Sequence, residues 1–520
     1  MKASHSVVQP GPARLPYLLL FTVLALPWAG CVPSESGGGS DAAEVAAIQG
    51  IEDRREEASP ILIAALTEPG SEAVRSRAAL AMGRIQSPTY GLALSAAASE
   101  GGAARSVRLT ALFALGQMGL AAGVKAPAEV IATATAATTD PDPEIAAAGL
   151  EAVGKLAAPG AEAVLLAQRE HGEPSVRAAV IHGLFRLRFA PVWRGQVEAP
   201  PELSEAAVQA VVGALADPAP AVREMAAHLF SRYGDPRAVT ALAARVTQKD
   251  EAEWVRLFAV RALGRSAGEE AAGRAEALAA LESALGDPSA RVRTEAVMAF
   301  DRLEAAADLL PFRETLAQDD AWSVRAALAR ALGRIDPGGH GDVAARAGEP
   351  VLSQLLTDPS PTVQGDALGA LARRRGAQAA DLVIRFLDAE RWTLRAAAVR
   401  AAEALGAEAG KPLVERGLTD PDRRVQAAAL EVWSALEGDP ARLAAALTED
   451  DLAVRGTAVT ELADVRDPRK VEWLTAVYEA SPGVDWVEVR EGVATALAAE
   501  VAAAAPENAA ARALLQRIAT

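Results

Sequence analysis

Val324-Arg325-Ala326-Ala327-Leu328-Ala329-Arg330-Ala331-Leu332-Gly333 decides the fold. Counted from Val324, the apolar residues Val324, Ala327, Leu328, Ala331, Leu332 and Ile335 fall at offsets 0, 3, 4, 7, 8 and 11, one stripe of a 3.6-residue helix. The same signature recurs along the chain, its second residue being Arg75, Arg108, Ala146, Arg177, Arg223, Arg256, Arg293, Arg325, Gln364, Arg395, Gln426, Arg455 and Arg490. Those positions run from 75 to 490 in twelve intervals, a period of about 35 residues that suits two-helix repeats. A shorter apolar segment such as Val351–Leu356 precedes most copies, and a turn such as Asp358-Pro359-Ser360-Pro361 joins the two. The expected fold is therefore all-α, an α-solenoid. It is predicted as a right-handed superhelix of about 13 hairpins whose second helices line a concave face. Each hairpin would contact only its neighbours, so 520 residues can form one continuous body.

Composition narrows the interior and the partners. Hydrophobic residues make up 51% of the chain but aromatics only 4%, so the core is built mainly from Ala, Leu and Val. Five signatures carry Gly at offset 9 (Gly83, Gly116, Gly154, Gly264, Gly333), where it either ends the helix or admits a close neighbour. The formal charge of −16, with arginines dispersed one or two per repeat, argues against nucleic acid and for a basic or neutral protein partner. Asp stands six residues before the signature's second residue in seven copies, often followed by Pro, a pattern that reads as a helix start.

These features resemble HEAT repeats, of the short bacterial type also found in phycobilin lyases. The resemblance covers residues 42–505 and speaks for fold far more than for function. It implies a ladder of contacts between successive repeats, carried by Asp217 with Arg223, Asp250 with Arg256, Asp287 with Arg293 and Asp319 with Arg325. Ala146, Gln364 and Gln426 depart from the pattern and should interrupt the ladder. Some bacterial HEAT lipoproteins continue into a cyclophilin-type prolyl isomerase domain, so the alternative reading is the HEAT arm of a larger enzyme. Chromophore-lyase activity does not suit an exported protein.

The N-terminus supplies an address. Lys2 and Arg14 precede an apolar run from Leu15 to Ala29, the length of a signal-peptide core, and Ala29-Gly30 lead to Cys31, the sole cysteine. This resembles a bacterial lipoprotein signal, although Trp28 stands where an aliphatic residue is usual. Residues 1–30 are accordingly expected to be removed and Cys31 to be lipidated, and Val32 rather than Asp after it implies the outer membrane. Losing Lys2 and Arg14 takes the charge from −16 to −18. Residues 31–41, Gly- and Ser-rich, read as a tether to an envelope membrane.

Candidate contact residues stand out against this scaffold. Trp254, Trp322, Trp392 and Trp486 each sit just before a signature helix, where an apolar residue either staples the first turn or joins an aromatic stripe for a partner. Phe189–Pro201, within the longest interval, interrupts the helical pattern and offers Trp193 and Arg194 either as a recognition loop or as a packed connector. Of His171, His182, His228 and His340, His182 and His228 share offset 6 on adjacent signature helices, and nothing at matching spacing supplies the third ligand that a metal needs, so they read as polar surface residues. No nucleophile–base pair, phosphate loop or His-Glu metal motif appears, so the chain is read as a non-catalytic scaffold without cofactor. Residues 506–520 suggest one further helix, a cap or the start of another repeat.

Overall fold

The computed structural model describes residues 39–121, 125–335, 341–481, 486–503 and 509–519. The leader, Cys31, most of the tether and His340 lie outside the described residues. All thirteen signatures are helical, from Glu72–Ile85 to Val487–Ala503. Their offset-0 residues are buried in every copy, the most exposed being Leu394 at 9%. Each such side chain contributes about 1.5–3 kcal/mol by leaving water, so this one position anchors every repeat. Among the described residues there is no strand.

The chain divides into two compact units, up to Leu203 and from Ser204 onward. The boundary falls in the longest inter-signature interval, where a single body was expected. The first unit opens with a helix at Gly39–Asp53 that begins inside the expected tether, followed by four hairpins ending in Pro174–Trp193. The second holds nine hairpins and the extra helix Ala509–Ala519, which packs on Val487–Ala503. Within each unit, successive signature helices pack directly on one another.

Two local expectations are corrected. Phe189–Trp193 does not break the pattern: the helix Pro174–Trp193 runs through it with Pro191 inside. Nor do the Asp residues six before the signature's second residue begin the helices, although Asp142-Pro143 and Asp439-Pro440 do begin theirs. Asp140, Asp217, Asp287, Asp319, Asp358 and Asp420 each accept the backbone N–H two residues on, at 2.8–2.9 Å, closing a turn ahead of the helix. The first-turn prolines are others, among them Pro143, Pro220 and Pro361.

The offset-9 glycines take the close-approach role. A Cβ added to Gly83, Gly264 or Gly333 would lie 2.8–2.9 Å from the Cα of Ala114, Ala299 or Ala370, and one on Gly154 would strike the Gly183 backbone. Every one of these targets is the offset-7 residue of the next signature helix. Small residue meets small residue there, so the helix backbones come almost into contact.

Gly264→Ala therefore pits a gain of about 1 kcal/mol in helix propensity against a backbone collision. We expect a lower melting temperature, whereas Gly456→Ala, on a helix with nothing within 4 Å, should raise it. A rise at both positions would dissolve the close-approach argument.

Candidate functional site

The signature's arginine is a joint between repeats. Arg325 donates through Nη1 to the Asp319 carbonyl of its own turn at 2.6 Å, and through Nε and Nη2 to both Asp358 carboxylate oxygens of the next turn at 2.6 and 2.9 Å. Arg256 to Asp287, Arg293 to Asp319 and Arg395 to Asp420 repeat this two-pronged bond. A planar guanidinium suits it because its fork matches a carboxylate.

The Asp and Arg six apart are thus not partners through their side chains. Asp217 gives Arg223 only its carbonyl, and the Arg223 fork goes to Glu251 at 2.9 and 2.7 Å. Asp250 is exposed and Glu251 takes the place expected for it, its longer side chain fully buried. In the first unit Arg75 reaches Glu100 and Arg108 reaches Asp140. Gln364 and Gln426 keep the bond to their own turn, at 2.6 Å to the Asp358 and Asp420 carbonyls, and Gln426 also accepts from Arg423 Nη1, which reaches Glu449 of the next turn at 2.8 Å. At the first of these, the next turn offers Ala389 in the carboxylate position, so both halves of the joint are missing together.

Burial opposes the charge on Asp358, Asp420 and Glu251, but the facing guanidinium outweighs it and holds each carboxyl below its usual range. The aromatic candidates have mixed fates. Trp254 stacks on Phe258 one turn on, centroids 5.9 Å apart, with Arg291 of the next repeat 5.4 Å from its ring. Arg424 lies over Trp392 at 3.7 Å and Arg455 over Trp486 at 3.9 Å. Trp322, 53% exposed, presents the most open ring of the four. Trp193 stacks on Phe189 at 5.3 Å and is 38% exposed. Arg194 is turned inward and donates to the Gly119, Lys155 and Leu156 carbonyls at helix ends.

Of the histidines, His182 joins a charge network. Lys155, nearly fully buried, lies 2.6 Å from Glu151 and 4.6 Å from the Phe113 ring centre, and His182 stands 3.8 Å from Glu151 and accepts from Arg186. Burial would raise the Glu151 carboxyl, but Lys155, His182 and Arg186 bring it to about 2. His171 accepts the Glu173 N–H, and His228 lies edge-on to Phe258 at 5.0 Å. No three His, Cys, Asp or Glu side chains converge on a metal position among the described residues. Two shallow clefts, beside Glu282 and Phe312 and beside Ile131 and Val164, hold no histidine, cysteine or lysine.

One row escapes a reading along the chain. At offset 10 of five successive signatures in the second unit stand Arg232, Arg265, Arg302, Arg334 and Arg373, all on the signature helix except Arg334, which lies two residues past its end. The signal was present as a fixed offset, but it shows only when the signatures are aligned beneath one another.

HEAT repeats match at residues 245–333 and 349–433, stretches that hold six of the signature helices. Among solved structures, Kap95p with RanGDP is similar at 14% identity and a TM-score of 0.53, covering 92% of this chain and 72% of that one. The Kap95–Nup1 complex gives 15% and 0.53, covering 92% and 77%, and Kap121p bound to Nup53p gives 11% and 0.53, covering 92% and 67%. Such identities establish the helical-repeat fold alone. No curated protein matches the chain.

The joints carry a pH signature. Because the folded carboxyls are depressed, their stabilisation is complete above the unfolded value of about 4 and is lost as pH falls through the folded one. Arg325→Gln should lower stability by about 2–3 kcal/mol at neutral pH, short of the fully buried figure because some solvent contact remains. It should also flatten the acid limb of stability against pH in urea titrations. An unchanged acid limb would show that Asp358 is not held by Arg325.

Proposed function

We propose that this chain is a non-catalytic scaffold that binds other proteins along its signature-helix face, tethered to a bacterial envelope membrane by lipid on Cys31. The observation that carries the scaffold reading is the repetition itself. Successive helices hold solvated side chains at constant offsets over many repeats, while the two shallow clefts hold no histidine, cysteine or lysine. Kap95p and Kap121p, alike in fold, are seen with RanGDP, Nup1 and Nup53p, and that supports a protein partner here. Binding would rest on shape and charge complementarity over a long surface. The exposed Trp254 and Trp322 are the aromatic anchors such a surface would use in the second unit, and Trp193 is the one that the first unit offers.

The membrane part rests on the sequence around Cys31. One acyl chain binds reversibly, whereas the multiple chains of a lipidated N-terminal cysteine anchor stably. No helix among the described residues is long and apolar enough to cross a membrane. We place the protein at the outer membrane, facing the periplasm or the cell surface.

Two measurements test this reading. Affinity capture from envelope extracts should enrich a defined protein that is lost when Trp254 and Trp322 are changed to Ala, and recovery no better than with an unrelated lipoprotein would end the scaffold reading. Cys31→Ser should move the protein to the soluble fraction, and unchanged membrane retention would rule out lipid as the attachment.

A further inference from the structure

The five offset-10 arginines form one line because the close-packed helix ends beneath them hold successive repeats in register. A Cβ on Gly264 would meet Arg302 at 3.1 Å and one on Gly333 would meet Arg373 at 2.9 Å, so each guanidinium lies across the preceding helix end. Burial and then the neighbouring Arg302, Arg232 and Arg261 push Arg265 down, and burial and Arg334 do the same to Arg373. Like charges are crowded here at a cost to the unbound protein, within a chain of net charge −16.

Internal carboxylates offset part of this charge. Glu295, 4% exposed, takes Arg261 at 2.8 Å and Arg302 at 2.5 Å, Asp366 takes Arg330 at 2.5 Å, and Asp301 takes Arg334. Arg232, Arg265 and Arg373 are exposed and form no ion pair among the described residues. Arg302 keeps one buried nitrogen, Nη1, without a hydrogen-bond partner. The line thus retains unmatched donors.

Spacing identifies what they fit. Packed helices stand about 8–10 Å apart, so the arginines recur at about that interval. A polyproline-II segment rises about 3.1 Å per residue with three residues per turn, which returns the same face every ~9 Å. A β-strand would present its third residue to the opposite side. A nucleic-acid strand would bring continuous negative charge against Glu295, Asp301 and Asp366, which a peptide with spaced acids avoids.

We propose that the arginine line Arg232–Arg265–Arg302–Arg334–Arg373 is the docking strip for an extended acidic polypeptide segment carrying a carboxylate at every third residue. This rests on the scaffold reading and names the chemistry of its partner. Over this strip the expectation of a basic or neutral partner, drawn from net charge, is reversed.

The test is fluorescence anisotropy with the full chain and a labelled peptide of five Glu-Pro-Pro triplets. An isomer with its five glutamates contiguous and a single-stranded oligothymidylate serve as competitors. We expect saturable binding that weakens with salt, and affinity about tenfold lower for the contiguous isomer. The triple variant Arg232→Gln, Arg265→Gln, Arg373→Gln should lose about tenfold as well. A control with equal charge change, Arg385→Gln, Arg391→Gln, Arg442→Gln, should bind as the parent does. Circular dichroism should show the first variant folded, since removing crowded cations relieves repulsion. Equal affinity for the two peptides, or an unaffected triple variant, overturns the proposal. Tighter oligothymidylate binding, lost in the same variant, also overturns it by assigning the strip to phosphate. If no peptide binds while envelope capture still yields a protein, the strip fails and the scaffold reading stands.

Discussion

The constraint on which the rest depends is the near-contact of successive signature helices at their C-terminal ends. Offset 9 of one helix rests on offset 7 of the next, and glycine or alanine occupies both positions at Gly83 and Ala114, Gly264 and Ala299, and Gly333 and Ala370. Direct backbone contact leaves little room for one helix to slide or turn against the other. At the opposite end of the same helices, the two-pronged guanidinium bond fixes the distance between turns. With both ends set, any residue type repeated at one offset becomes a line in space.

That logic explains what could be read from the residues alone. The helices, their stripe and the buried offset-0 residue are local or periodic facts, and the signature displays them directly. The joint residues were visible too, but their pairing was not. Asp319 and Arg325 lie six apart, which suggests a bond within one repeat, yet the carboxylate folds back over its own turn and faces the preceding repeat's Arg293. Only the carbonyl remains for Arg325. Glu251 does not stand out in the sequence because a longer side chain displaced by one position gives the same reach. At Phe189–Trp193 the proline suggested a break, but the turn before Pro191 accommodates it and the helix continues.

The arginine strip was hidden for a different reason. Dispersed one or two per repeat and outnumbered by Asp and Glu, arginines leave no basic run in the sequence. Net charge describes the field at a distance, whereas a ligand within a Debye length of about 8–10 Å responds to the charges nearest it. Acidic residues engaged in the joints at the opposite helix ends lie away from that near field, and Glu295, Asp301 and Asp366 offset only part of it. An acidic protein can therefore present a cationic edge, and the sum over 520 residues does not reveal it.

The break at Gln364 has a mechanical meaning. Where Arg325 or Arg395 clasps the following turn, the two hairpins behave as one stiff segment. Between Gln364 and Ala389 no clasp of this kind exists, and dispersion between apolar side chains carries the load. A pull or a twist on the second unit will meet less resistance there than at the clasped joints, so an absent charge acts as a built-in point of compliance.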